Sequence, residues 1–71
     1  MASYVNEMDE SGYTPLTLAA QNGNEKVVEL LLQTKGVNVN KADRNGITPL
    51  YRAAAYGFHK VVEMLLAHKG T

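Results

Sequence analysis

The run Asp43-Arg44-Asn45-Gly46-Ile47-Thr48-Pro49-Leu50 restates Asp9-Glu10-Ser11-Gly12-Tyr13-Thr14-Pro15-Leu16, 34 residues earlier in the chain. Outward from this stretch the agreement continues. Ala19-Ala20 returns as Ala53-Ala54, Gly23 as Gly57, Lys26-Val27-Val28-Glu29 as Lys60-Val61-Val62-Glu63, and Lys35-Gly36 as Lys69-Gly70. With residues 3–36 laid on 37–70, 18 of the 34 positions are identical. A period of this length marks a stacked solenoid, whose units bury their apolar faces only against one another. Such stacks bind partners more often than they do chemistry.

Each unit opens with a turn. Asp9 and Asp43 stand at the first position of a type I turn, with Gly12 and Gly46 at the fourth. The flanks Val37-Asn38-Val39-Asn40 and Ile47-Thr48 alternate or branch, which predicts a brief, exposed β-hairpin tip. Thr48 then precedes Pro49, an N-cap hydroxyl followed by a residue whose missing N–H costs nothing at the first helical position. The spacing predicts a short helix over residues 49–56 with Leu50, Ala53 and Ala54 on one face, and its counterpart with Leu16, Ala19 and Ala20. Gly23 and Gly57 suit the left-handed residue that stops these helices. Second helices are predicted over residues 25–34 and 59–68, where Val28, Leu31 and Leu32 form an apolar row that Val27 and Leu30 widen. A stripe that wide touches two neighbours. Gly36 and Gly70 end these helices, with Lys35 and Lys69 placed favourably for the helix dipole.

The order Asp-x-x-Gly-x-Thr-Pro-Leu-x-x-Ala-Ala-x-x-Gly, followed by Val-Val-x-x-Leu-Leu, stands here twice, from Asp9 to Leu32 and from Asp43 to Leu66. It closely resembles the ankyrin repeat. The resemblance implies an all-α repeat solenoid of helix-turn-helix units with short β-hairpin tips, one domain over residues 1–71 containing repeat one (3–36) and repeat two (37–70). Three features depart from the family's usual unit. The period is 34 where 33 is usual, an extra residue falling near Gln33 to Gly36, in a surface connection where insertions cost little. The His that commonly follows Thr-Pro-Leu is Thr17 in one unit and Tyr51 in the other, so the buried polar network it joins is rebuilt or absent. Arg52 takes a usually apolar position, held by Leu18 in the first unit, and is expected to face solvent or a carboxylate.

The resemblance also implies a protein–protein interaction module that binds through the turn tips and the concave side of the first helices. Carried over position by position, the binding residues are Met8, Glu10, Ser11, Tyr13, Gln21 and Asn22 in the first unit, and Ala42, Arg44, Asn45, Ile47, Ala55 and Tyr56 in the second. Tyr13, Arg44, Ile47 and Tyr56 suit an interface best, because aromatic residues and arginine dominate binding hot spots. For Tyr13 and Ile47, simple packing on neighbouring tips is an equal reading. Asn40 matches the Asn that in this family ties down the tip connection and that some members carry hydroxylated; the structural role is the expectation.

Composition narrows the classes further. Seven basic and seven acidic residues leave no net charge, which argues against nucleic acid or an anionic membrane as partner. There is no cysteine, hence no disulfide and no thiol chemistry, a usage that fits an intracellular, cytoplasmic protein and is equally compatible with the nucleus. No apolar run approaches bilayer length, and no signal-peptide pattern opens the chain.

Catalysis finds no support. The two serines, Ser3 and Ser11, have no His near them in sequence. His59 and Glu63 share a helix face at i, i+4, and a solvated pair is the expectation over a metal site; His68 is too far along the helix to complete one. No cofactor and no metal are expected. Two units, where solenoids ordinarily need at least about three, leave the ends of the stack to be covered. Hence two alternatives stand beside the partner-binding module: a minimal unit that self-associates through its ends with no dedicated partner, or an accessory repeat segment of a larger multidomain protein.

Overall fold

The computed structural model describes residues 4–68. Four helices follow in order: α1 (Pro15–Gln21), α2 (Glu25–Gln33), α3 (Pro49–Ala55) and α4 (His59–Ala67). Among the described residues there is no strand. α1 packs against α2, and α3 against α4; α1 also packs on α3, and α2 on α4. The result is two helical layers, with the same helix pair placed once and then again beside itself.

The helix starts are written in the threonine–proline pairs. The Thr14 hydroxyl accepts the Thr17 N–H at 3.1 Å and the Thr48 hydroxyl accepts the Tyr51 N–H at 3.2 Å, each satisfying an orphan donor of its helix. Pro15 and Pro49 follow as first helical residues. α2 is capped by Asn24, whose side chain accepts the Val27 N–H at 3.3 Å. Its counterpart Phe58 gives α4 no side-chain cap. The Phe58 ring instead lies over Gly23, where the backbone has φ +67°, so close that a Cβ there would stand 2.7 Å from ring carbons. A cap within the unit has been replaced by a contact between units.

The tips form tight turns where a paired hairpin was expected. The Asp9 N–H donates to the Tyr13 carbonyl (2.8 Å) and the Gly12 N–H to the Asp9 carbonyl (2.9 Å), and Asp43 and Gly46 repeat both bonds. The Asp9 carboxylate also accepts the N–H groups of Ser11 (2.9 Å) and Tyr13 (3.0 Å). Side-chain oxygens thus take donors that a β-ladder would use, and the flanks are too short to build one. Successive tips are joined where the Arg44 N–H donates to the Gly12 carbonyl at 2.8 Å.

Where the first unit passes into the second, Asn6 acts as a clamp. Its amide donates to the Gly36 carbonyl at 2.8 Å and its side-chain oxygen accepts the Asn38 N–H at 2.6 Å. This is the tie expected of the equivalent Asn40. The position that Asn40 would reach by translation, Gly70, lies outside the described residues, as does Lys69.

The core is Leu16, Ala19, Ala20, Val28, Val39, Ala53, Val61 and Leu65, all buried. Alanines at three of these sites let α1 and α3 come together with little between their backbones. The polar network is rebuilt in unit one. Thr14 donates its hydroxyl to that of Thr17 at 2.9 Å, and both residues are buried. Tyr51, the equivalent of Thr17 in unit two, is 63% exposed instead.

Candidate protein-binding surface

Of the twelve positions expected to bind, Met8, Glu10, Ser11, Asn22, Arg44, Asn45, Ala55 and Tyr56 are exposed, while Tyr13, Gln21, Ala42 and Ile47 are half-buried. The tip residues do not all serve as free contacts. Arg44 folds back across the preceding tip and donates from Nη2 to the Glu10 carbonyl at 2.8 Å. Its guanidinium therefore works between units, which the sequence alone does not predict. Tyr13 is covered in a related way. The Arg52 guanidinium carbon lies 5.4 Å from the Tyr13 ring centroid, a cation–π contact that bridges the units. Met8 and Tyr13 line one shallow depression with Pro15 and Leu18, towards the first end of the stack.

Arg52 has the carboxylate partner expected of it. Its Nε and Nη2 donate to Asp43 Oδ2 at 2.9 and 2.8 Å. The other carboxylate oxygen, Oδ1, accepts the N–H groups of Asn45 (2.9 Å) and Ile47 (3.1 Å). The two oxygens divide the work, Oδ1 holding the tip and Oδ2 fastening it to α3. In unit one Asp9 makes the same tip bonds, but Leu18 stands where Arg52 would be, and Asp9 stays exposed.

Burial pushes the Asp43 carboxyl upward, yet the hydrogen bonds from Arg52, Ile47 and Asn45 and the Arg52 charge outweigh it, leaving the group below the ordinary aspartate value. Bonding to Asp43 raises the Arg52 guanidinium in turn. The sign follows from linkage: a carboxyl depressed in the folded state contributes stability above its unfolded pKa and loses it as pH falls through the folded value. Asp43→Asn keeps an acceptor for the tip but removes the charge. Its melting temperature is expected to lie below wild type at pH 7, and the gap to close at an acid pH low enough to protonate Asp43 in the folded chain. A gap of the same size at both pH values would show that the ion pair contributes nothing.

Elsewhere the surface offers little chemistry. His59 and Glu63 border a shallow depression with Ala54, Gly57 and Val62. Among the described residues no three His, Cys, Asp or Glu side chains gather as metal ligands do. His68 has a ring nitrogen 3.1 Å from the Leu32 carbonyl, joining the end of α4 to α2. Tyr56, more than half exposed, stands edge-to-face with Phe58, the centroids 6.3 Å apart and the rings inclined at 66°.

Helix pairs, tip-to-tip bonding and twinned Thr-Pro starts agree with the comparison to known families, in which a model of ankyrin repeats in three copies matches residues 2–71. The chain belongs to the ankyrin-repeat family. A 35-residue stretch, 49% of the chain, is also 46% identical to part of a probable serine/threonine-protein kinase of Dictyostelium discoideum. The chain spans 4% of that relative's length. Ankyrin repeats are generally protein-interaction modules and typically non-catalytic. Among the described residues no helix is long and apolar enough to cross a membrane.

Large apolar residues outside the expected surface are also exposed, among them Tyr51 on α3, Leu66 on α4 and Leu30 on α2. The sequence does carry a signal for them. Leu30 and Leu66 lie on the apolar row of the second helices, which a neighbouring unit would cover, and Tyr51 takes the place of the buried Thr17.

Proposed function

We propose that this ankyrin-repeat chain is a non-catalytic binding domain, residues 1–71 forming two units (3–36 and 37–70) that present one concave surface to a protein partner. The observation that carries this reading is Tyr56. It exposes 55% of its surface while its ring stands edge-to-face against Phe58, which narrows the orientations open to it. An aromatic side chain ordered before contact loses little entropy on binding and suits a hot spot. Half-buried Ile47 and exposed Ala55 and Asn45 extend the surface along the second unit. The absence of cysteine supports an intracellular, cytoplasmic setting for the complex.

The test is affinity capture followed by titration of the captured protein against variants. Tyr56→Ala and Ile47→Ala are each expected to weaken binding by about tenfold or more, with helix content unchanged. Arg44→Ala is expected to act otherwise. Its guanidinium is engaged with Glu10, so the change lowers the unfolding midpoint more than it lowers affinity. Full affinity retained by Tyr56→Ala in a folded protein would remove that residue from the surface.

A further inference from the structure

We infer that the two ends of this chain recognise each other, so that copies stack head to tail in solution through faces that share only Ile47 with the concave surface. Three observations support this, and none depends on the partner-binding reading.

First, residues differ in exposure from their equivalents 34 positions on. Thr17, Ala20 and Val28 are completely buried beneath unit two, whereas their equivalents Tyr51 and Ala54 are exposed and Val62 is partly so. Leu66, equivalent to half-buried Leu32, is 60% exposed. These residues make the trailing face. On the leading face the pattern reverses. Val61 is completely buried against unit one, but its equivalent Val27 is 38% exposed, and Leu30 is 53% exposed where Met64 is half-buried. Each end is one half of an interface whose complete form exists inside the chain.

Second, the internal contacts translate into compatible ones. Tyr13 lies under Arg52 between the units. Shifted by one unit, the pair becomes Ile47 against Leu18 of the next copy, both apolar, with Leu18 exposed and Ile47 half-buried. A Cβ added at Gly12 or Gly23 would run into Arg44 or Phe58, while one added at Gly46 or Gly57 would meet nothing within 4 Å. Their new neighbours would be Glu10 and Asn24, each smaller than the residue it replaces.

Third, the neutral chain is electrically lopsided. Residues 3–36 hold five acidic side chains (Glu7, Asp9, Glu10, Glu25, Glu29) and two basic ones, for a net of −3. Residues 37–70 hold five basic side chains (Lys41, Arg44, Arg52, Lys60, Lys69) and two acidic ones, for a net of +3. Joining two leading faces or two trailing faces would set like charges together. Head-to-tail contact brings the acidic unit of one copy against the basic unit of the next, which selects this arrangement among the ways two copies can meet. Such a contact is heterologous and leaves one free face of each kind, so growth continues past the dimer.

Sedimentation equilibrium of the full chain is expected to show a mass-average that starts near 7.8 kDa. It should more than double between about 10 µM and about 1 mM protein at low salt, without a plateau at the dimer. Raising NaCl to about 0.5 M should weaken association several-fold. Leu66→Lys blocks the trailing face and Leu30→Lys the leading face, both at exposed helical positions where lysine is well tolerated. Each variant alone is expected to stay monomeric, and an equimolar mixture to form a 1:1 dimer that grows no further. A monomer at all concentrations for the wild-type chain would overturn the inference, as would a plateau at the dimer, single variants that assemble like wild type, or a mixture that stays monomeric. None of these results bears on binding through Tyr56, whereas Ile47, which meets Leu18 of the next copy, takes part in both contacts.

Discussion

Gly12→Ala is expected to destabilise the chain by about 2–4 kcal/mol, and Gly46→Ala, the same change one unit later, by about 1 kcal/mol. Both glycines have positive φ, +87° and +81°, so both variants suffer the same backbone strain. They differ in what the new methyl meets. At Gly12 it would run into the Arg44 Cβ and stand 2.7 Å from Arg44 Nε, whereas at Gly46 it meets nothing within 4 Å. Arg44 cannot simply withdraw, because its own N–H is bonded to the Gly12 carbonyl and its guanidinium to the Glu10 carbonyl. The second unit has to shift on the first or lose those bonds. A domain of this size has a total stability of only about 4–10 kcal/mol, so Gly12→Ala should lower the melting temperature by about 10–25 °C. Denaturant melts of both variants at micromolar protein measure the difference directly. Equal losses would mean that the tips of the two units do not touch as described.

Leu65→Ala is expected to cost about 2–5 kcal/mol, while Leu66→Ala, one residue along the same helix, changes stability by under about 0.5 kcal/mol in the monomer. Leu65 is 1% exposed and belongs to the core with Val61, Ala53 and Val28. Truncating it removes transfer free energy and leaves a cavity between α4 and the rest of the stack. Leu66 projects from the trailing face and has no unit beyond it among the described residues. The contrast tests which side of α4 meets unit one. Urea unfolding monitored by helical circular dichroism reads both values, and comparable losses for the two variants would reverse the orientation of α4.

Much of this architecture is legible in the sequence. Thr-Pro pairs are local signals, so they locate the helix starts at Pro15 and Pro49, and Gly23 and Gly57 mark where the first helices stop. A cation at a usually apolar site is expected to face solvent or a carboxylate, and Asp43 supplies the carboxylate. The tips are less legible. Alternating residues around Val37-Asn38-Val39-Asn40 suggest a hairpin, but the aspartate oxygens compete for the backbone donors, and that competition is invisible to a pattern of apolar and polar residues. Arg44 has the look of a free interface arginine. Its reach to Glu10 depends on how far one tip stands from the next, which no single unit encodes. The twelve candidate binding positions come from the family's pattern, and burial sorts them into exposed and half-buried without saying what they meet.

The exchange of Asn24 for Phe58 has a consequence for how the molecule comes apart. The start of α2 is secured by a residue of its own unit, through the bond from Val27 to Asn24. The start of α4 is secured by an aromatic ring resting on Gly23 of the other unit. A helix end that elsewhere belongs to its own sequence is here held in trust by its neighbour. Fraying is therefore directional. The start of α4 loses its ring contact when the first pair departs, while α3 keeps Thr48 and the first pair keeps its caps when the second leaves. Any side chain added at Gly23 is felt most at the opening turn of a helix that begins at His59.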